Sequence, residues 1–296
     1  MWQDDGMRLS PAPALFVLVS LSFLALLALA LAPASGLNHF YVVLDHDTYA
    51  AIEQSAFLTE QFAVFEKRTT VRADKTYSGI YFYGRQTYLE FLEPSFLGPS
   101  GDRQTGDSGI AFGGDAAIEP IENLKPMTIT REWNGVKVPW FSMTTPSWES
   151  QNDRFLTWYM TYHPDFLAQW HPEARPSGAA SPQVSRAAVL ERYKAALPAA
   201  SSSSLTRPTL MEDVSGLTLA LKAESRPRFE AWTKAIGAAF QLRFVDPGAG
   251  IEGIRAAELR LGRAPAGLPD KEETLRFGSR STLTLRQDRT ATWRFE

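Results

Sequence analysis

The chain has 296 residues, of which 44% are hydrophobic and 21% charged, an ordinary globular composition for one large domain or two smaller ones. The formal net charge of −3 excludes the strongly basic character that binding to a phosphate backbone requires, so we expect no nucleic acid partner. Because the sequence contains no cysteine, disulfide bonds, thiolate metal sites and cysteine nucleophiles are excluded as well.

The N-terminal segment, residues 1–34, has the pattern of an export signal. The stretch from Ala14 to Leu31 carries no charged residue, and Ala32-Pro33-Ala34 places small residues where a signal peptidase cuts. A stretch of this length can also span a bilayer. We therefore expect an exported protein, periplasmic or extracellular. We favour a cleaved signal peptide over an uncleaved anchor, which would be the only part of the chain in contact with a membrane.

Residues 37–94 are predicted to form one compact β-α-β-β-β unit. The first strand is LNHFYVVL, and the segment from Asp47 to Leu58 follows it with apolar residues at helical spacing behind an aspartate cap. Three further runs rich in β-formers come next: FAVFEKRTTV, GIYFYG and TYLEFLEP. The first strand carries His39 and the last carries Glu90.

Residues 106–165 repeat this order more loosely. The segments TYLEFLEP (87–94) and TWYMTYHP (157–164) share a leading threonine, an aromatic second residue and a terminal proline. Upstream of the second segment, GDSGIAFGG is predicted as a first strand and AAIEPIENL as a short helix. MTITREW and VPWFSM then supply the middle strands. This region is the predicted second module.

The remainder of the chain divides into a connection and a third region. Residues 166–210 are a bridging segment in which one helix, Val184 to Leu197, lies between stretches rich in Pro, Gly, Ser and Ala. Residues 211–296 show strand, helix and strands again, and end in a hairpin that turns at Gln287 to Arg289. This order predicts a third, degenerate module, which could pair with the first in place of residues 106–165.

The first unit resembles a module of the vicinal-oxygen-chelate superfamily, which includes glyoxalase I, extradiol dioxygenases and the bleomycin- and fosfomycin-resistance proteins. The resemblance rests on element order, on His39 in strand one and on Glu90 in strand four. It implies an α+β fold in which repeated β-α-β-β-β modules form a cupped mixed sheet around a cavity. It also implies that the first and fourth strands of each module supply metal ligands, and it allows a homodimer.

The candidate metal ligands are His39, Glu90 and His163. The first two suit a divalent ion such as zinc, iron, manganese or nickel, and His163 would complete a set of two histidines and one carboxylate. The equivalent positions of the second module are Gly109 and Met160, which are not usual ligands of these ions. The alternative is that His39 is a hydrogen-bonded strand histidine, Glu90 pairs with Lys or Arg, and His163 lies at the surface.

The predicted strands are rich in aromatic residues, and alternation sends about half of them toward the cavity. Four tyrosines are the candidate ligand-binding residues for a small polar-aromatic molecule: Tyr41, Tyr81, Tyr83 and Tyr88. Two functions remain open, because a fold does not fix a reaction. One is a metal-dependent lyase, isomerase or dioxygenase, and the other is a metal-free protein that binds or sequesters a small molecule.

Overall fold

The structure, a computed structural model, describes residues 35–72, 76–94, 103–114, 124–133, 135–150, 153–163, 166, 185–197, 209–268 and 271–296. Ser35–Glu296 forms one compact unit. The predicted export signal and residues 116–123 of the predicted helix AAIEPIENL lie outside the described residues, so both stay predictions. Within the described ranges, no helix has the length and apolar character needed to cross a membrane.

The first region folds in the predicted order. Its elements are β1 (Gly36–Val43), α1 (His46–Glu53), a π-helical turn (Leu58–Phe62), β2 (Val64–Val71), β3 (Thr76–Tyr83) and β4 (Tyr88–Leu92). Helix α1 begins where Asp45 accepts a hydrogen bond from the amide of Thr48 at 3.0 Å. Strand β1 pairs in parallel with β4, and β3 pairs with both β2 and β4 in antiparallel orientation.

The second region supplies an equivalent set of strands: β5 (Ser108–Gly113), β6 (Met127–Trp133), β7 (Val136–Thr144) and β8 (Phe155–Tyr162). Strand β8 is parallel to β5 and antiparallel to β7, so β4 and β8 hold equivalent positions. Because β1 and β5 pair in antiparallel orientation, the two sets form one sheet of order β2-β3-β4-β1-β5-β8-β7-β6. This confirms the predicted α+β fold with repeated modules in a cupped mixed sheet.

The eight-stranded sheet is curled so strongly that its two edges approach each other. Arg72, beyond the end of β2, and Arg131 of β6 form an isolated antiparallel bridge. We call the concave face of this sheet the trough. Strand alternation turns Tyr41 and Tyr81 into the trough and turns Phe40 outward, where it meets the second sheet.

Helix α2 (Arg186–Ala195) fills one end of the trough. Its Tyr193 ring stacks on Tyr83 with centroids 5.9 Å apart, and the indole nitrogen of Trp140 donates to the Tyr193 hydroxyl at 3.0 Å. Val189 and Leu190 of the same helix are buried in this cluster. The helix lies within the predicted Val184 to Leu197 segment, but nothing in the sequence predicted where it docks.

The third region forms a separate six-stranded sheet. Its elements are β9 (Met211–Ala220), α3 (Arg226–Ala235), β10 (Gln241–Val245), β11 (Gly253–Leu261), β12 (Glu272–Phe277), β13 (Ser281–Arg286) and β14 (Thr290–Phe295). The sheet order is β10-β9-β11-β14-β13-β12. The prediction of a third module is therefore wrong, because α3 returns the chain directly beside β9, whereas β1 and β2 are separated by β3 and β4. The first module pairs with residues 106–165.

The convex face of the eight-stranded sheet packs on the six-stranded sheet. Trp293 is fully buried between them, with its ring 5.0 Å from that of Phe91 and 5.7 Å from that of Phe82. A polar contact adds to this interface: Oδ1 of the buried Asp213 accepts hydrogen bonds from the amides of Gln86 and Thr87 and from the Thr87 hydroxyl, at 2.8 to 2.9 Å. Asp213 thus fixes the β3–β4 turn to β9.

Candidate functional site

At the end of the trough away from α2, aromatic side chains form a cluster that we call the recess. Its side chains are Tyr41, Tyr77, Leu92 and Trp158, which pack together with Val43. Tyr77 and Trp158 are only half-buried. Burial nevertheless raises the pKa of Tyr77, as it does that of Tyr41. Rings that are shielded from bulk water yet keep accessible surface are expected of a concave site.

Gly109 allows the recess to have this shape. A Cβ atom at this position would overlap the Tyr41 ring and lie 3.0 Å from Cζ3 of Trp158. The absence of a side chain lets both rings lie close against β5. The sequence alone shows Gly109 only as a position where the second module lacks a metal ligand. Its steric role depends on partners that are distant in sequence.

His39 is buried beneath the recess and is held on two sides. Its ring stacks on Tyr88 with centroids 4.4 Å apart, and its Nδ1 hydrogen-bonds Oδ1 of Asn38 at 2.8 Å. Because the amide oxygen accepts, Nδ1 carries the proton and Nε2 the lone pair. Burial, with a smaller contribution from the charge of Arg68, lowers the pKa of His39 to about 3. The imidazole is therefore neutral at physiological pH.

Glu90 lies on the same face as His39, as alternation predicted. His39 is the register partner of Tyr88 and Tyr41 that of Glu90, so the two residues are one row apart on neighbouring strands. The Tyr81 hydroxyl donates to Oε1 of the buried Glu90 at 2.8 Å. Desolvation, followed by the charge of Glu90, raises the pKa of Tyr81 well above its ordinary value. The Tyr81 phenol therefore keeps its proton and donates a hydrogen bond to this carboxylate.

The described residues do not provide a complete metal site of the kind that the resemblance implies. They contain no group of three or more His, Asp or Glu side chains placed to hold an ion. His163 does not join His39 and Glu90. It follows the end of β8, and its amide donates to the carbonyl of Trp140 at 2.9 Å. Two protein ligands leave a divalent ion weakly held.

The four predicted ligand-binding tyrosines differ in their surroundings. Tyr41 lines the recess, and Tyr81 lies below it as the partner of Glu90. Tyr88 is covered by His39. Tyr83 is only 2% exposed, stacks on Tyr193 of α2 and donates to a glutamate of β2, so it belongs to the filled end of the trough.

A half-buried ion pair on β2 lies between the filled end and the recess. Nη1 of Arg68 lies 3.1 Å from Oε2 of Glu66 and 3.1 Å from the Tyr83 hydroxyl. The guanidinium carbon also lies 4.1 Å from the centroid of the Tyr81 ring and 4.9 Å from that of Tyr193. Sequence reasoning missed this pair, because alternating charges on a strand usually indicate a solvated face. Here the curl of the sheet turns that face inward.

Glu149, in the β7–β8 connection, lies near Tyr41 of the recess. Its carboxyl oxygen Oε1 accepts a hydrogen bond from the amide of Thr157. When Glu149 is ionised, its charge raises the pKa of Tyr41, as does the charge of Asp107. Burial raises the pKa of Glu149 to about 8. At neutral pH this carboxyl is therefore mostly protonated and can donate a hydrogen bond near Tyr41.

Replacing Glu149 by glutamine is expected to flatten part of the pH dependence of stability. The unfolded carboxyl loses its proton near pH 4.5 and the folded one near pH 8, so the native chain loses stability as pH rises between these values. After allowing for partial solvent access, we expect the free energy of unfolding of the unmodified chain to fall by about 2 kcal/mol over this range. Glu149→Gln lacks the titrating carboxyl and should not show this loss. Urea unfolding of both chains at pH 5 and pH 8.5 measures it. Parallel profiles would contradict the assigned protonation state.

Comparison with known proteins places the chain in a family. A family model described as "Family of unknown function (DUF5829)" matches residues 37–295. The chain belongs to this family. Among solved structures, it is similar to the crystal structure of a hypothetical protein from Staphylococcus aureus, with 9% identity and a TM-score of 0.36 over 86% of this chain and 82% of that one. No curated protein matches the sequence.

Proposed function

We propose that this DUF5829 member is an exported small-molecule-binding protein with a glyoxalase-like fold, and that its recess binds a polar-aromatic ligand without a metal. The observation that carries the proposal is the indole N–H of Trp158. This nitrogen is buried and has no hydrogen-bond partner among the described residues. A buried donor without a partner costs about 1 to 3 kcal/mol. A bound molecule would recover this cost by displacing the side chains that cover the nitrogen and accepting from it.

Three further features support a polar-aromatic ligand. The rings of Tyr41, Tyr77 and Trp158 offer flat faces for stacking. Glu90 lies below them as an acceptor, and the protonated carboxyl of Glu149 is a donor near Tyr41. A phenolic compound, with a ring and hydroxyl groups that both donate and accept, matches this set.

A metal-dependent lyase, isomerase or dioxygenase is the second candidate. The observation that favours it is the placement of His39 and Glu90 on one face of neighbouring strands, with the imidazole neutral as a ligand must be. When bound, an ion would polarise an oxygen of the ligand. Only His39 and Glu90 are placed as ligands among the described residues, and two protein ligands hold an ion weakly, which favours the metal-free proposal.

Catechol is a probe that separates the two candidates, because its adjacent oxygens chelate metals while its ring suits the recess. We expect calorimetric titration of the full chain to detect catechol binding that is the same with and without EDTA. We also expect Trp158→Phe, which keeps a ring and removes the N–H group, to weaken binding about tenfold.

Trp148→Phe is the matched control, because Trp148 lies outside the recess. It should bind catechol as the unmodified chain does. Loss of catechol binding in EDTA, restored by one equivalent of zinc, iron, manganese or nickel, would instead support the metal-dependent candidate. Equal affinities for the Trp158 and Trp148 variants would contradict the role of the unpaired N–H group.

A further inference from the structure

A cavity of about 240 Å³ lies on the other side of the eight-stranded sheet from the trough. Phe155 of β8 lines it and packs on Phe229 of α3, with ring centroids 5.8 Å apart. Trp158, three residues further along β8, faces the trough instead. The cavity lies outside the predicted sites, because its walls come from the β7–β8 connection, the β9–α3 turn and the turn before β11.

One part of the cavity wall is apolar. Phe229 is 1% exposed, Leu221 and Phe155 are also buried, and the Trp148 ring lies beside them. Cavities for drug-sized ligands have volumes of about 300 to 1,000 Å³. This cavity is smaller, so it suits a compact molecule with an apolar part.

Three cations line the same cavity, and two of them, Lys222 and Arg228, form no ion pair with a described residue. The guanidinium carbon of Arg228 lies 4.7 Å from the centroid of the Trp148 ring, and its Nη2 donates to the Ser225 hydroxyl at 3.1 Å. Lys222 is exposed, and its ammonium group has no ion-pair partner within the described part of the chain. Both side chains are available to a carboxylate.

Two carboxylates balance these cations. Oδ2 of Asp153 accepts from the amide of Ser150 at 2.9 Å, and Oε1 of Glu252 accepts from the amide of Lys222 at 2.8 Å. Neither carboxylate forms an ion pair with a described residue. A third cation of the lining, Arg154, is already paired with Asp107 at 2.5 Å. The cavity therefore offers one set of charges of each sign.

We propose that this cavity binds a small zwitterion with an apolar side chain, the chemistry that an α-amino acid presents. The carboxylate of the ligand pairs with Arg228 and Lys222, its ammonium group with Asp153 or Glu252, and its side chain packs on Phe155 and Phe229. A ligand with a single charge would desolvate the opposite pair of protein charges without compensating them. The proposal is independent of the ligand in the trough.

The test compares leucine with two analogues that each lack one charge. Calorimetric titration of the full chain is carried out with L-leucine, with 4-methylpentanoate, which lacks the ammonium group, and with 3-methylbutylamine, which lacks the carboxylate. We expect leucine to bind with a Kd below about 1 mM and each analogue to bind at least about tenfold more weakly. No leucine binding at about 10 mM, or an analogue that binds as tightly as leucine, overturns the proposal.

Variants of α3 locate the binding. Arg228→Gln is expected to weaken leucine binding about tenfold, because it removes a charge-assisted contact to the carboxylate. Lys234→Gln changes an exposed cation in the last turn of the same helix and should leave leucine binding unchanged. Equal affinities for the two variants overturn the assignment to this cavity. Because Arg228 is exposed, its replacement should not prevent folding, and catechol binding should persist in both variants.

Discussion

Replacing Asp213 by alanine is expected to lower the free energy of unfolding by about 3 to 5 kcal/mol. Its Oδ1 accepts three hydrogen bonds from Gln86 and Thr87, and the residue is 5% exposed. Removing the acceptor leaves two backbone amides and a hydroxyl without their partner at the junction of the two sheets. The midpoint of urea unfolding, at unchanged slope, measures the loss.

Glu212→Ala is the matched control for this prediction. Glu212 is the preceding residue, and its more exposed carboxylate pairs with Arg260 at 2.8 Å. A surface pair of this kind contributes about 0 to 1 kcal/mol, so the control should unfold close to the unmodified chain. If both variants lost the same stability, the special role assigned to Asp213 would be wrong.

Acidification should destabilise the protein through His39. The pKa of His39 is about 3 in the folded chain and 6.5 in the unfolded chain. As pH falls below 6.5, the imidazole is therefore protonated in the unfolded chain but stays neutral in the folded one. Stability is therefore complete above pH 6.5 and is lost progressively down to pH 3. At 1.36 kcal/mol per pKa unit, the difference over this window amounts to about 5 kcal/mol.

The comparison of His39→Gln with His46→Gln isolates this effect. His39→Gln should lose part of the acid dependence, although it also loses the ring stack on Tyr88. His46 is exposed and its pKa is raised by the neighbouring Glu93, so its contribution has the opposite sign and disappears as pH rises. Urea unfolding of each chain at pH 7 and pH 4.5 distinguishes them. An acid dependence unchanged in His39→Gln would refute the assignment.

Element order and strand alternation were sufficient to predict the trough. The repeat that relates residues 87–94 to 157–164 correctly placed β4 and β8 in equivalent positions, because a fourth strand parallel to the first follows from the module itself. Alternation likewise put His39 and Glu90 on one face. These features are local or repeat at a fixed spacing.

The features that sequence reasoning missed all depend on contacts between distant segments. Helix α2 was predicted, but its docking into the trough is decided by Tyr83 and Trp140, which lie far away in sequence. The inward turn of Arg68 follows from the curl of the sheet. The sequence predicts the wrong topology for the third region. The predicted module and the observed six-stranded sheet both begin with a strand, a helix and further strands, so element order does not distinguish them. Trp158 lies in a predicted strand rich in aromatic residues, but the burial of its N–H group depends on neighbours that are distant in sequence.

The central claim, that the recess binds a small molecule, is tested most directly by adding one methyl group. Gly109→Ala puts a Cβ atom into the Tyr41 ring, whereas Gly216→Ala in the other sheet adds one at ordinary contact distances of 3.4 to 3.5 Å. We expect calorimetry to show catechol binding at least about tenfold weaker in Gly109→Ala and unchanged in Gly216→Ala. Equal catechol affinity in the two folded variants would contradict a binding site in the recess.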